Sequence, residues 1–294
     1  MRLFFSVHPG WARSALIATF IVLCGVAQSP LSADETSRAR HQWGRFSPGA
    51  WKRVRIQTET MDERGNVASS STTESFTTLT DVNDDDYTLR IEVQVDVKGK
   101  RFSAQPQMIR QGYFGETDGQ TVMVRKLGPA SVLIGGQTIP CETQEVTIQA
   151  PNLRRQMTMQ VSERAPFAVL KRDCRATDAE GKQVNYTTAV EVFALQMPQK
   201  VLSEIRDTSY VKTVHKQGKN TTITIELECL EVPGGVIAHS LREEDDKGRI
   251  LRKSTLELVD FGPGSGNAEE TTAAHRRIFN RGRTRSNDRG NRME

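Results

Sequence analysis

Aromatic residues make up only 6% of this 294-residue chain, and cysteine occurs four times. So few cysteines exclude a small fold stapled by disulfides. None of the four has the close spacing of a redox or zinc motif. No apolar run reaches the 18 residues that a membrane-spanning helix needs. The chain also lacks the H-E-x-x-H zinc helix, the nucleophile elbow, the phosphate-cradling loop and the dinucleotide fingerprint. Helical periodicity is nearly missing from the body as well, where Met197 to Arg206 could make a turn or two; beyond it Asn267 could cap a short helix with Glu270 three residues later.

A surplus of charge is missing from the body. The formal net charge is +4. Two of the 40 basic residues, Arg2 and Arg13, lie in the first 33 positions, and seven arginines follow Gly262, so Asp34 to Gly262 holds 31 basic against 32 acidic side chains. The basic excess belongs to the tail, so the pI of 8.9 is no argument for a nucleic-acid-binding fold.

The first 33 residues read as a secretory signal. Arg2 and Arg13 give the basic start, Ser14 to Ala27 the apolar stretch, and small residues offer cleavage after Ala27 or Ala33. Leu23 stands before Cys24, where a lipid-modified cysteine would want a small residue. Export to the periplasm or cell surface without a lipid anchor is expected. Residues 34–44 read as a linker, 45–262 as the folded domain, and 263–294 as a glycine-rich linker with a basic, disordered tail. The tail suits an anionic surface such as lipid headgroups or cell-wall polymers, and nucleic acid is the least expected of its partners after export.

The body reads as strands. Tyr87 to Val97 places Tyr87, Leu89, Ile91 and Val93 on one face and charged or polar residues on the other. Ile223, Ile225 and Leu227 alternate in the same way, as do Met157, Met159 and Val161, and Val54, Ile56 and Thr58. One-sided strands belong to antiparallel sheets with one wet face. Turn signals stand at Asn83–Asp86, Lys98–Lys100, Gly135-Gly136 and Gln217–Lys219. The expected fold is mainly β, a curved antiparallel sheet or open half barrel built from repeated hairpins, with disordered termini.

The hairpins suggest a threefold internal repeat. Pro48, Pro166 and Pro233 are each followed three residues later by a large apolar residue, Trp51, Val169 or Val236. An Asp-x-x-Gly turn comes next, ending at Gly65, Gly181 or Gly248, and a threonine stands seven residues beyond each glycine, at 72, 188 and 255. Proline costs little at a strand's first residues, and glycine supplies the positive φ of tight turns.

Trp43, Phe46, Pro48, Gly49 and Trp51 form a W-x-x-F-x-P-G-x-W opening, joined by Val232 to His239 and Ser254 to Gly262. On these blocks, residues 40–262 resemble uncharacterised secreted β-rich proteins of planctomycete bacteria, which implies export and no chemistry. In architecture alone the chain is similar to LolA-like periplasmic carriers of lipoproteins, whose curved open sheet covers an apolar cavity.

Candidate sites are few. Asp81, Asn83 and Asp85 with Glu92 mimic a calcium loop, but Asp86 replaces its glycine, and carboxylates are ordinary turn formers. His215 and His239 are the histidines around which a hydrolase site could be assembled from distant strands; Trp43 and Trp51 read as core. Cys141, Cys174 and Cys229 read as buried thiols, with a Cys141–Cys174 or Cys174–Cys229 bridge left open. The expectation is an exported, non-enzymatic binding or scaffold protein without cofactor or metal, whose partner is a lipid or another cell-envelope protein. The alternatives are a LolA-like carrier, with Tyr87, Leu89, Ile91, Val93, Ile223, Ile225 and Leu227 as its apolar ligand face, and, ranked lower, a hydrolase near His239 or His215.

Overall fold

A computed structural model describes residues 35–264, so the segment read as a secretory signal and the basic tail lie outside the described residues. After a short helix, α1 (Glu35–Arg40), the chain is almost all strand: β1 (Trp51–Met61), β2 (Val67–Val82), β3 (Asp86–Val97), β4 (Lys100–Ser103), β5 (Gln107–Gly112), β6 (Thr121–Ile134), β7 (Gln137–Ala150), β8 (Leu153–Val161), β9 (Val169–Thr177), β10 (Val184–Val201), β11 (Glu204–Gln217), β12 (Asn220–Glu228), β13 (Val236–Glu244) and β14 (Ile250–Gly262). They form one antiparallel sheet in the order β4-β3-β2-β1-β14-β13-β12-β11-β10-β9-β8-β7-β6, with β5 sharing the outer edge of β3 with β4.

β1, β9 and β13 begin on Trp51, Val169 and Val236, three residues after their prolines. The turns that follow share one chemistry. Asp62 Oδ1 accepts the amides of Arg64 and Asn66, and Asp245 Oδ1 those of Lys247 and Arg249. The Asp178 carboxylate accepts from Lys182 and Gln183. Gly65, Gly181 and Gly248 sit at φ of 81°, 78° and 76°, the left-handed region that glycine enters without strain.

The middle turn is one residue longer. The amide of Asp62 donates to the carbonyl of Asn66 and that of Asp245 to Arg249, whereas that of Asp178 reaches Gln183. Because strand period is two, one extra residue changes the face. Thr72 and Thr255, both opposite Gln57, lie on one face, while Thr188 lies on the other with Cys174 and His215.

Met197 to Arg206 is not helical. It continues β10 into β11, with Met197 opposite Thr208 and the Thr208 hydroxyl donating to the Met197 carbonyl. The pairing of two long strands wins over weak local helical preference.

Thirteen strand positions at about 4.8 Å would set the edges of a flat sheet roughly 60 Å apart. The eight residues Tyr113 to Gln120 link edge strand β5 to edge strand β6, and eight residues reach at most about 29 Å. The sheet must therefore curl, and it does so without closing: the β6 edge does not pair with β4 or β5.

An unbroken row of directly opposed residues identifies the concave face: Val95, Thr73, Ile56, Leu256, His239, Glu226, Val211 and Val192. On this face Tyr87, Leu89 and Ile91 pack with Trp43, Leu79 and Tyr113 at one side. Val146, Ile148, Met157 and Met159 pack with Phe114 at the other. The tip of the β6–β7 hairpin folds over so that Ile134 packs with Leu170, Val192 and Val211.

Of residues 34–44, read from the sequence as a linker, Glu35–Arg40 form α1 and the following residues continue into a strap that runs to Ala50 across one end of the curl. Arg40 Nη2 donates to the carbonyls of Ser162 and Ala165 at 2.7 and 2.8 Å. His41 Nδ1 accepts the amides of Trp43 and Gly44, with its ring against Tyr87 and Tyr113. The Gly234 amide donates to the Gln42 carbonyl, and a Cβ on Gly234 would meet the Trp43 ring at 2.6 Å. Only glycine allows that approach.

Candidate functional site

β12 turns its polar residues inward. Thr224, Glu226 and Glu228 are buried, while Ile223, Ile225 and Leu227 are half-buried on the opposite face. The apolar ligand face read from the sequence is thus divided: Tyr87, Leu89, Ile91 and Val93 line the concave side, and the three β12 residues do not join them. Leu227 instead packs beside Cys229, Val232 and Ile237.

The concave side carries a buried polar group in place of a continuous apolar wall. Glu226 on β12 faces His239 on β13 in a direct cross-strand pair, and both are more than nine-tenths buried. Such pairs hold their Cβ atoms about 5 Å apart. Thr213 on β11, opposite Thr224, is buried one step along. Glu228 accepts a hydrogen bond from Gln42 Nε2 of the strap at 2.9 Å. Lys52 on β1 donates from Nζ to the carbonyls of Gly234 and Val236 at 3.2 and 3.5 Å, with Trp43 beneath it at 5.7 Å. Arg172 on β9 is buried on the same face.

Burial decides the protonation of this group. Loss of water, reinforced by Glu228, pushes the Glu226 carboxyl up to about 8, against the opposing pull of Lys52 and Arg172. Glu228 rises to about 7 by burial, held back by the Gln42 bond and the same two cations. His239 falls to about 4, through burial first and Lys52 second. Near neutral pH, Glu226 is protonated and His239 is uncharged.

Several of these atoms lack partners. His239 Nε2, Thr213 Oγ1 and, on β7, Gln144 Oε1 are buried without a hydrogen bond, and all three belong to the concave face. Polar groups taken out of water without partners cost about 1–3 kcal/mol each, so a face that retains several of them is set up for something that supplies the bonds.

His215 is half-buried, its Nδ1 2.9 Å from Thr188 Oγ1 and its ring beside Tyr186. It shares the concave face but lies four residues down β12, opposite Thr222. Its nearest acid, Glu243, is held by Asn220 and Arg252. Asn83 Oδ1 accepts the amides of Asp85 and Asp86, and Asp86 pairs with Arg110, so the segment resembling a calcium loop acts as a turn. Cys141, Cys174 and Cys229 are free thiols. No group of three or more histidine, cysteine or acidic side chains among the described residues is arranged to hold a metal. On the opposite face, Glu145, Thr158, Asp173, Arg175 and Lys216 line a groove of about 700 Å³ over β7–β11.

Sequence reasoning missed Glu226, Glu228, Thr213, Lys52 and Gln42. The one available signal was negative: in Thr224 to Glu228 the alternating polar residues are threonine and glutamate, a set that ordinarily faces water.

No protein-family model matches this sequence, and no curated protein matches it. Two solved structures are similar over much of their length. One is a Bacteroides fragilis protein with a YmcC-like fold, inferred to be exported; it shares 9% identity over 74% of this chain and 98% of its own, with a TM-score of 0.28. The other is a DUF1329 family protein from Desulfovibrio piger, with 9% identity over 75% of this chain and 88% of its own, and a TM-score of 0.32. At these scores neither decides what the chain does.

Proposed function

We propose that this chain is an exported binding protein of the periplasm or cell surface, that it works without catalysis, and that it holds its ligand on the concave face of its open sheet. One observation carries this reading: the concave face is buried, yet it keeps unused bonding capacity at His239, Thr213 and Gln144. A filled structural core would have either apolar residues there or satisfied polar ones. Export rests on the basic start, apolar stretch and small-residue cleavage sites of residues 1–33. The tail arginines add attachment to an anionic surface.

Catalysis is the weaker reading. An imidazole held near 4 is a poor base at neutral pH, and His239 has no hydroxyl or thiol hydrogen-bonded to it among the described residues. His215 has the Thr188 hydroxyl, but its carboxylate neighbour is committed elsewhere. The carrier reading is the second one, favoured by the apolar walls of Leu89 and Ile91 and of Met157 and Met159 on the concave face.

Native mass spectrometry on the mature chain, purified gently from an exported preparation, tests both. A copurified mass lost on delipidation, or a shift when envelope lipids are added, supports the concave ligand site and favours the carrier. A clean apo mass that stays unchanged with lipids and with a soluble envelope extract overturns the ligand-holding reading.

A further inference from the structure

Glu226, His239 and Thr213 place three hydrogen-bonding groups on three neighbouring strands, and among the described residues His239 Nε2 and Thr213 Oγ1 are buried without a partner. His239 Nε2 accepts in the tautomer that carries its proton on Nδ1. A primary ammonium group carries three N–H donors on one atom and a positive charge. A hydroxyl carries one donor, and a metal ion finds no suitable set of ligands among the described residues.

We propose that Glu226, His239 and Thr213 form a binding site for the primary ammonium group of an amphiphilic ligand, with Val192, Val211, Ile56 and Leu256 beside it to receive the apolar part. This rests on the reading of the concave face as a ligand site and adds the chemical class of the ligand.

The surrounding charges are mixed, and the two cations oppose an ammonium until a carboxyl ionises. Glu228 on β12 adds a second carboxyl, Lys52 on β1 and Arg172 on β9 face the pair, and His239 on β13 is neutral. Even with two cations near, the Glu226 carboxyl stays protonated at neutral pH because it is dry. An ammonium placed against it supplies the charge and the hydrogen bond that favour its ionised form. Binding at pH 7 therefore expels the Glu226 proton to solvent, and affinity rises as pH climbs toward 8. The aliphatic ammonium itself stays charged there, since its ordinary pKa is about 10.

Isothermal titration of the mature chain with dodecylammonium, dodecanol and dodecanoate, each below its aggregation concentration, tests this. Dodecylammonium is expected to bind at least tenfold more tightly than the other two at pH 7. It should also release a proton, seen as a heat that depends on the buffer's ionisation enthalpy. Glu226→Gln removes both the preference and the proton release. Thr213→Val, a smaller change, weakens dodecylammonium several-fold and serves if the first variant does not fold. Equal binding of all three probes, or a preference that survives Glu226→Gln, overturns the ammonium site and leaves the concave ligand site standing. Binding of none of them overturns both.

Discussion

Glu226 and His239 sit opposite each other, each in the form that carries no charge. A carboxyl at about 8 in the folded chain, against an ordinary 4.5, keeps its proton between those values while the unfolded chain has lost it. Folding stability must then fall as pH rises from about 4.5 to about 8 and level off beyond. Glu228 adds a decline of the same sign that ends near 7. His239 acts on the acid side: at about 4 against 6.5, it stays neutral while the unfolded chain takes up a proton, so stability falls as pH drops from about 6.5 to about 4. Urea unfolding between pH 4 and 8.5 should show Glu226→Gln flattening the alkaline decline and His239→Gln flattening the acid one. Slopes unchanged in both variants would mean that the two groups are solvated in solution. None of this was legible beforehand. His239 stood out only as a histidine in a strand, and Glu226 as one of the polar residues that alternation assigns to water. Its inward direction comes from the row of cross-strand partners that starts at Val95, and single-strand periodicity fixes two faces without saying which is inside.

At the scale of elements, the strap from α1 to Ala50 does more than its composition suggests. It has no periodicity, which is why it reads as a linker, yet it crosses the end of the curl and contacts the β8–β9 and β12–β13 connections. Trp43 is its anchor, 5% exposed. Trp43→Ala is expected to cost about 3–5 kcal/mol, as buried aromatic truncations do; a loss below about 1 kcal/mol by urea unfolding would mean that the strap only rests on the surface. The hairpins were far more legible, because turn chemistry is local. The four turn signals stand where β2–β3, β3–β4, β6–β7 and β11–β12 join, and the three Asp-x-x-Gly turns have the geometry that glycine implies. What the spacing concealed was the extra residue of the Asp178 turn. Equal distances to Thr72, Thr188 and Thr255 along the chain correspond to opposite faces in space.

At the scale of the whole molecule, the curl follows from an eight-residue link between the two edges, and its openness from their failure to pair. Strand order could not be read from periodicity, since any meander has the same pattern. The decisive pairing is β1 with β14, ten residues on each side. Removal of residues 249–294 should leave β1 and β13 with bare edges. Hydrogen exchange should then rise sharply at Val54 to Thr60 and at Ala238 to Glu243, while the β7–β8 and β10–β11 pairs stay protected. Unchanged exchange in β1 would show that the join contributes little. The position of that join also sets an order of events. A chain that emerges from its amino end can pair β1 to β5 as one ribbon and β6 to β13 as another, and until Ile250 to Gly262 arrives the two share no strand pairing, only the β5–β6 link and the contacts of the strap. The last strand made is an interior one, fifth of the thirteen in the order, so the sheet stays in two unpaired parts until that strand is in place.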